Sequence, residues 1–177
     1  MRSFVSFYDA PLGKLTLFSD GVHLTRLCFD TTLDKKELER ANEKSLSVFD
    51  ESKIWLDEYF SGKEPKFTPK ILLQGSEFQR EVWALLRLIP YGTLTSYGVL
   101  AKQIAQKRGI AKMSARAVGG AVGHNPVPII VPCHRVIGTN HHLTGFTGGI
   151  DKKIILLKCE RIDMARLKMP KRQIVAE

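Results

Sequence analysis

Cys133 lies in the run Val131-Pro132-Cys133-His134-Arg135-Val136, inside a stretch without carboxylates. From Val82 to Ile150 there is no Asp or Glu, while Arg87, Lys102, Lys107, Arg108, Lys112, Arg116 and Arg135 all fall there. A thiol beside an imidazole in a cationic segment has two chemical prospects. The surrounding field would stabilise its thiolate. The natural visitor to that field would be a polyanion. Together they point to a cysteine nucleophile acting on nucleic acid.

The charge distribution agrees. Residues 1–75 hold 11 Lys and Arg against 12 Asp and Glu, and residues 76–177 hold 16 against 6. The whole basic excess behind the net charge of +9 belongs to the second part. A segregated excess marks an anion-binding face more often than mere solubility. With 177 residues, 44% apolar and 25% charged, the chain suits one large or two small globular domains. No run reaches the roughly 18 apolar residues of a membrane span. The polar start from Met1 to Asp9 does not read as a secretory signal, so a cytoplasmic, non-membrane protein is expected. Cys28, Cys133 and Cys159 are odd in number and widely spaced, which speaks against a disulfide framework. His23 and Cys28 alone do not make a zinc site, so no metal is expected.

The elements that must position Cys133 follow from local signals. Ser3–Tyr8, Lys14–Ser19 and His23–Phe29 are β-rich runs, punctuated by Pro11-Leu12-Gly13 and by Asp20-Gly21, a hairpin signal. Leu33–Leu46 has helical spacing. Ser47–Phe60 is a better amphipathic helix, with Val48, Trp55, Leu56, Tyr59 and Phe60 to one side. Residues 61–75 read as a linker, so the domains are expected at 1–75 and 76–177. Ser76 should cap a helix carrying Phe78, Val82, Leu85, Leu86 and Ile89. A second helix, Ser96 to Gln106, is capped by Thr95 or Ser96 and broken at Gly109. Ser114 caps a third, Ala115 to about Gly123. The last two suggest a helix-turn-helix, whose usual seat is the major groove. The glycines in Ala115–Gly123 weaken that helix by about 1 kcal/mol each against Ala. Either a close-packed neighbour or an approaching ligand would explain them. Asn125-Pro126-Val127-Pro128 cannot be helix interior. Ile129–Val131 is expected as a short buried strand. Pro132 should open a turn with Cys133 near a helix N-terminus. Gly138 to Gly149 is loop, Asp151 caps a helix from Lys152 to about Arg161, and the basic tail after Ile162 is expected to fray. The fold class is α+β.

Taken singly, these residues have bland readings. A Cys-His dipeptide is more often structural. Tyr97 alone reads as core, Arg116 as a surface charge, and Glu160 as an ordinary charge at a helix end. Arg135 fits a structural role and a DNA contact equally. The joint spacing says more. Thr95-Ser96-Tyr97, Ala115-Arg116-Ala117-Val118-Gly119, Asn125-Pro126, Pro132-Cys133-His134-Arg135-Val136 and Gly148-Gly149, with Lys153 and Glu160, resemble the signature of the O6-alkylguanine-DNA alkyltransferases. The match is close over about residues 76–162.

That resemblance implies an RNase H-like N-terminal domain and a winged helix-turn-helix-like C-terminal domain. It implies irreversible, stoichiometric transfer of an alkyl group from O6-alkylguanine in duplex DNA to Cys133, without a cofactor, and with O4-alkylthymine as a further candidate. It implies that His134 takes the thiol proton through a water, that Glu160 orients His134, that Tyr97 donates to N3 of the extruded base, and that Arg116 fills the gap in the stack. Asn125 would brace the turn before Cys133. Val136 and Thr147 would read the base edge through backbone groups, with Phe146 and Lys153 in the pocket wall. Ala117 and Gly119 would allow a minor-groove approach by a monomer. Lys102, Lys107, Arg108, Lys112 and Arg135 are candidate phosphate contacts. Phe146 stands where many family members carry Tyr. The rival readings are a non-catalytic binder of alkylated DNA, a helix-turn-helix regulator with an incidental thiol and, more weakly, a cysteine hydrolase.

A thiol of pKa about 8.5 is about 3% ionised at pH 7. Lowering that pKa to about 7 makes a weaker nucleophile, so the net gain is only a few-fold if a Brønsted slope of about 0.4–0.5 applies. Positioning and neutralisation of the departing guanine must supply the rest of the rate.

Overall fold

The β-rich runs of the first thirty positions fold into three antiparallel strands. These are β1 (Ser3–Ala10), β2 (Gly13–Ser19) and β3 (Leu24–Phe29). In this computed structural model, which describes residues 3–169, β1 pairs with β2 in the register Tyr8↔Leu15, and β2 with β3 in the register Leu17↔Leu27. Asp20 closes the second hairpin by accepting from the Val22 and His23 amides.

The segment expected as one helix from Leu33 to Leu46 divides. Six residues form α1 (Lys35–Arg40), capped by the Asp34 carboxylate. Ala41–Glu43 then becomes β4, parallel to β1, and completes the sheet order β3-β2-β1-β4. Charged spacing without an apolar stripe gives a helix little to bury, so the free edge of β1 prevails.

α2 (Ser47–Phe60) lies against β1, β2 and β3 and buries Val48, Phe49, Trp55, Leu56 and Tyr59. The stretch after it also covers the other sheet edge: Leu24 donates to the Lys70 carbonyl and Leu72 to that of Leu24. Further along β3, the Leu27 amide donates to the Pro126 carbonyl at 2.8 Å. That bond joins the sheet to the segment leading to Cys133.

Ser76 starts α3 (Glu77–Leu86) with a reciprocal capping box to Gln79. α4 (Tyr97–Arg108) is capped by Ser96, the second of the two candidates, and ends at Gly109 in the left-handed region. α5 (Ala115–Gly123) is capped by Ser114. Trp83 of α3 is buried and donates from Nε1 to the Ala121 carbonyl of α5 at 2.8 Å. One core runs from Leu15, Leu17 and Phe29 through Trp55 and Tyr59 to Trp83, Val118, Val122 and Cys133.

Beyond Cys133, β5 (Thr95–Ser96) and β6 (Val136–Ile137) pair in parallel. The last helix, α6 (Ile150–Cys159), is capped by Gly149, not by Asp151, which sits in its first turn. The segment after Ile162 does not fray where it is described. Met164–Arg166 forms a 3-10 turn, Leu167 is buried, and Lys168 exchanges backbone hydrogen bonds with His141 and Leu143. The expectation for residues 170–177 lies outside the described residues. Among the described residues no helix is long and apolar enough to cross a membrane.

Candidate active site

Two prolines shape the approach to Cys133. Pro126 and Pro128 rule out a helix here, yet Ile129–Val131 does not form the expected strand either. The chain instead doubles back in a buried turn, with Val131 donating to the Val127 carbonyl at 2.9 Å and Ile129 at φ 76. A β-branched residue in that region is strained, and the surroundings must hold it. Asn125 is one clamp. Its Nδ2 donates to the Val131 carbonyl at 2.8 Å and its Oδ1 accepts from Val127 at 3.1 Å. Pro132 then caps the 3-10 turn Cys133–Arg135, all three residues of which are buried.

The thiol is not primed in this state. Burial pushes Cys133 up to about 11, although the Asn125 amide and the Lys153 charge pull the other way. The expected cationic field does not reach it. Lys102, Lys112 and Arg116 are exposed, Lys107 and Arg108 pair with Glu81, and Arg135 is turned inward. A three-residue turn also carries little of a long helix's dipole.

Behind the thiol lies a closed polar network. Nε2 of His134 is 2.6 Å from Oε1 of Glu160, and neither side chain is exposed. Burial holds His134 below its ordinary pKa despite the carboxylate beside it. The ring is therefore neutral at pH 7. With its proton on Nε2, facing Glu160, Nδ1 is left as the acceptor. Nδ1 is buried and has no hydrogen-bond partner among the described residues.

Glu160 is no loose charge at a helix end. It also accepts from Arg135 Nε at 2.9 Å and Nη2 at 3.0 Å, from Gly92 N at 2.9 Å and from Tyr59 Oη at 2.9 Å. Burial raises its pKa, but the hydrogen bonds and charges of His134 and Arg135 outweigh burial and hold it at about 2. Of the two readings of Arg135, structural support and DNA contact, the structure shows the first. Its Nη1 donates to the Ile89 carbonyl at 2.6 Å, so all three guanidinium nitrogens are bonded inside the protein, and the side chain is nearly closed to a phosphate. The helical spacing of Ser47–Phe60 marks Tyr59 only as part of an apolar face. A buried tyrosine needs a partner for its hydroxyl, and that was the available signal.

In front of the thiol is a cavity of about 280 Å³, lined by Tyr97, Gly119, Val122, Gly123, Cys133, Gly145, Phe146 and Thr147. Tyr97, the first residue of α4, stays a neutral phenol because burial raises its pKa. Its ring lies against Gly119, where an added Cβ would sit 3.6 Å away. Phe146 meets Phe29 edge-on at 5.7 Å, and Thr147 Oγ1 donates to the Gly123 carbonyl at 2.8 Å. Gly148 has no room for a Cβ, which would fall 2.6 Å from the Phe29 ring. Lys153 is wholly buried and donates to the carbonyls of Val136 (2.6 Å) and Thr144 (2.9 Å). Val136 is thereby engaged at both main-chain groups, since its amide also donates to the Cys133 carbonyl. A larger cavity of about 830 Å³ between Ser96, Asn140 and Arg161 shares only Gly92 with the Cys133 network.

Arg116 and Ala117 stand apart from the pocket, exposed on the first turn of α5. The glycines of α5 meet different surroundings. Gly119 packs on Tyr97, whereas Gly120 and Gly123 have nothing within 4 Å of a would-be Cβ.

The chain matches two family models. One is described as the DNA binding domain of 6-O-methylguanine DNA methyltransferase, over residues 77–162, and the other as the ribonuclease-like domain of the same protein, over 4–73. A relative from Mycolicibacterium paratuberculosis, named methylated-DNA–protein-cysteine methyltransferase, is 44% identical over 154 residues, 86% of this chain and 89% of its own. The crystal structure of Mycobacterium tuberculosis O6-methylguanine methyltransferase superposes with a TM-score of 0.79 at 40% identity, covering 94% of this chain and 95% of that one. A structure of Mycobacterium tuberculosis OGT in complex with DNA gives 0.76 at 39%, with the same coverage. The α+β plan, a ribonuclease-like sheet unit followed by a helical DNA-binding unit, agrees with these matches.

Proposed function

The chain belongs to the 6-O-methylguanine DNA methyltransferase family, and from that premise we propose how its residues act. It is a methylated-DNA–protein-cysteine methyltransferase, a DNA-binding protein that repairs by direct reversal. The observation that carries the residue-level reading is the sandwich around Cys133: a base-sized pocket on one side and the buried His134–Glu160 pair on the other.

In our reading Cys133 Sγ attacks the alkyl carbon, an S–C bond forms, and the C–O6 bond breaks with its electron pair going to the guanine. The thiol proton passes through a water to Nδ1 of His134, the ring nitrogen left free by the Glu160 contact. Tyr97 donates to N3 of the departing base and so limits the charge developing there. Net, the thiol proton ends on guanine and the cysteine ends as a thioether, so each molecule reacts once. A resting thiol at about 11 supports this division of labour. The proton must be removed as the base arrives, when Asn125, Lys153 and the turn amides can favour the anion.

The target base must leave the stack, at a cost of a few kcal/mol. Arg116, exposed at the start of α5, would fill the vacancy. The open flank at Ala117, Gly120 and Gly123 leaves room for DNA to come close to this helix, and in our reading a monomer approaches through the minor groove. Phe146 supplies shape and Thr147 backbone groups to the base, while Lys102 and Lys112 remain free for phosphates. We also propose units at 1–75 and 76–177, a division supported by the cap at Ser76 and by the limits of the two family matches.

The test is to incubate the protein with duplex DNA bearing labelled O6-methylguanine and to map the label by mass spectrometry. One label per molecule, on Cys133, is expected. Label elsewhere, or repeated turnover, overturns the reading. Cys133→Ser should lose transfer and retain duplex binding.

A further inference from the structure

Tyr59 belongs to the last turn of α2, in the sheet half of the chain, yet its hydroxyl lies in the network behind Cys133. Oη is 2.9 Å from Glu160 Oε1, 3.1 Å from His134 Nε2 and 3.3 Å from the Leu156 carbonyl. A phenol has one proton to give, and the carboxylate oxygen is its nearest and most charged acceptor. The ring is fixed around that bond. Trp55 stacks on it at 5.4 Å, while Phe60, Tyr91 and the His134 imidazole meet it edge-on. Burial and then Glu160 keep the phenol protonated far beyond its ordinary range.

Oε1 of Glu160 is heavily shared. It takes His134 Nε2, Tyr59 Oη and two nitrogens of Arg135. Every donor on that oxygen drains charge from it and weakens its hold on the imidazole. Among the described residues, Tyr59 is the sole donor to Glu160 from residues 3–75. A phenylalanine would fill the same apolar space, so packing alone does not call for the hydroxyl.

We propose that Tyr59 is a positioning residue for alkyl transfer: its hydroxyl seats Glu160 against His134 and sets how strongly the unpartnered ring nitrogen, Nδ1, attracts a proton. This rests on the transfer chemistry proposed above. It gives the sheet half of the chain a part in that chemistry. The other groups facing the pair are Arg135 from the same turn, Lys153 and Cys159 from α6, Tyr91 beside Arg135, and Cys133 itself. Their contribution is common to every variant compared.

The test uses the full-length protein with Tyr59→Phe and with 3-fluorotyrosine placed at 59, an isosteric and stronger donor. Two quantities are followed against pH: the single-turnover rate on O6-methylguanine duplex, and the His134 imidazole titration by NMR. With Tyr59→Phe, both the acid limb of the rate and the ring titration should move up by about half a pH unit, the size expected for loss of one donor among several. Fluorotyrosine should move both down. Profiles that coincide with wild type in the fluorotyrosine protein overturn the proposal, even if Tyr59→Phe is merely slower or fails to fold. Absence of transfer in the wild type would instead sink the reaction itself, and the NMR titration still judges Tyr59.

Discussion

Nζ of Lys153 donates to the Val136 carbonyl at 2.6 Å in a space closed to solvent. The same ammonium reaches the Thr144 carbonyl, so one side chain of α6 ties β6 to the loop that carries Phe146 and Thr147. Burial, partly opposed by Cys133, lowers its pKa from 10.5 to about 8. Between those values the unfolded lysine holds a proton that the folded one has released. Stability at this site therefore rises with pH across that window, by about 3 kcal/mol in all. Lys153→Met removes the titration. The stability of wild type relative to Lys153→Met, from urea unfolding, should increase by about that amount between pH 7.5 and 10.5. A constant difference would show that the ammonium is not desolvated.

The Cys133 thiol, pushed up to about 11 by burial, should be sluggish in the free protein. Its labelling by iodoacetamide, followed on the Cys133 peptide by mass spectrometry, should climb throughout the alkaline range toward that value. An inflection near neutral pH would mean that the resting protein already holds a thiolate, which would restore the cationic-field expectation.

Glu160→Gln leaves the Arg135 guanidinium buried without its counter-charge, and breaking such a pair costs about 3–5 kcal/mol. The wild-type carboxylate, held at about 2 against an ordinary 4.5, contributes fully above about pH 4.5 and loses its contribution as pH falls toward 2. Thermal unfolding should show the variant clearly less stable at pH 7, with the gap narrowing over that acidic window. Transfer to Cys133 should be lost. A variant of wild-type stability would show that the network does not hold the fold.

Gly120 separates packing from docking, because a Cβ there meets no atom within 4 Å beyond its own helix. Gly120→Ala should stabilise α5 by up to about 1 kcal/mol. Gly120→Phe should leave unfolding nearly unchanged while weakening duplex binding at least about tenfold, or about 1.4 kcal/mol. Fluorescence anisotropy with a labelled duplex reads the second effect. Undiminished binding would exclude this flank of α5 as the groove face.

Much of the scaffold was written in short-range signals. The Asp20-Gly21 hairpin, the span of α2, and the serine caps at 76, 96 and 114 depend on residues within a turn of one another, so local chemistry decides them. The grouping of Cys133, His134, Tyr97, Asn125, Lys153 and Glu160 was also legible, because their joint spacing resembles a family. Other features depended on what arrives from far along the chain. Ala41–Glu43 became a strand because β1 offered an edge, and Ile129–Val131 became a turn with Ile129 at positive φ, clamped by Asn125. Arg135, open in sequence to a structural role or a DNA contact, is the partner of Glu160, 25 residues away. Tyr59 changed from core filler to a donor across 101 residues.

The protonation of Cys133 shows the division most clearly. That a thiol stands beside an imidazole among cations is plain from residue order alone. It takes the fold to turn most of those cations to solvent, or to pair them elsewhere, while burying the thiol. Charge in a sequence is a list without distances, and ionisation depends on distance and on access to water.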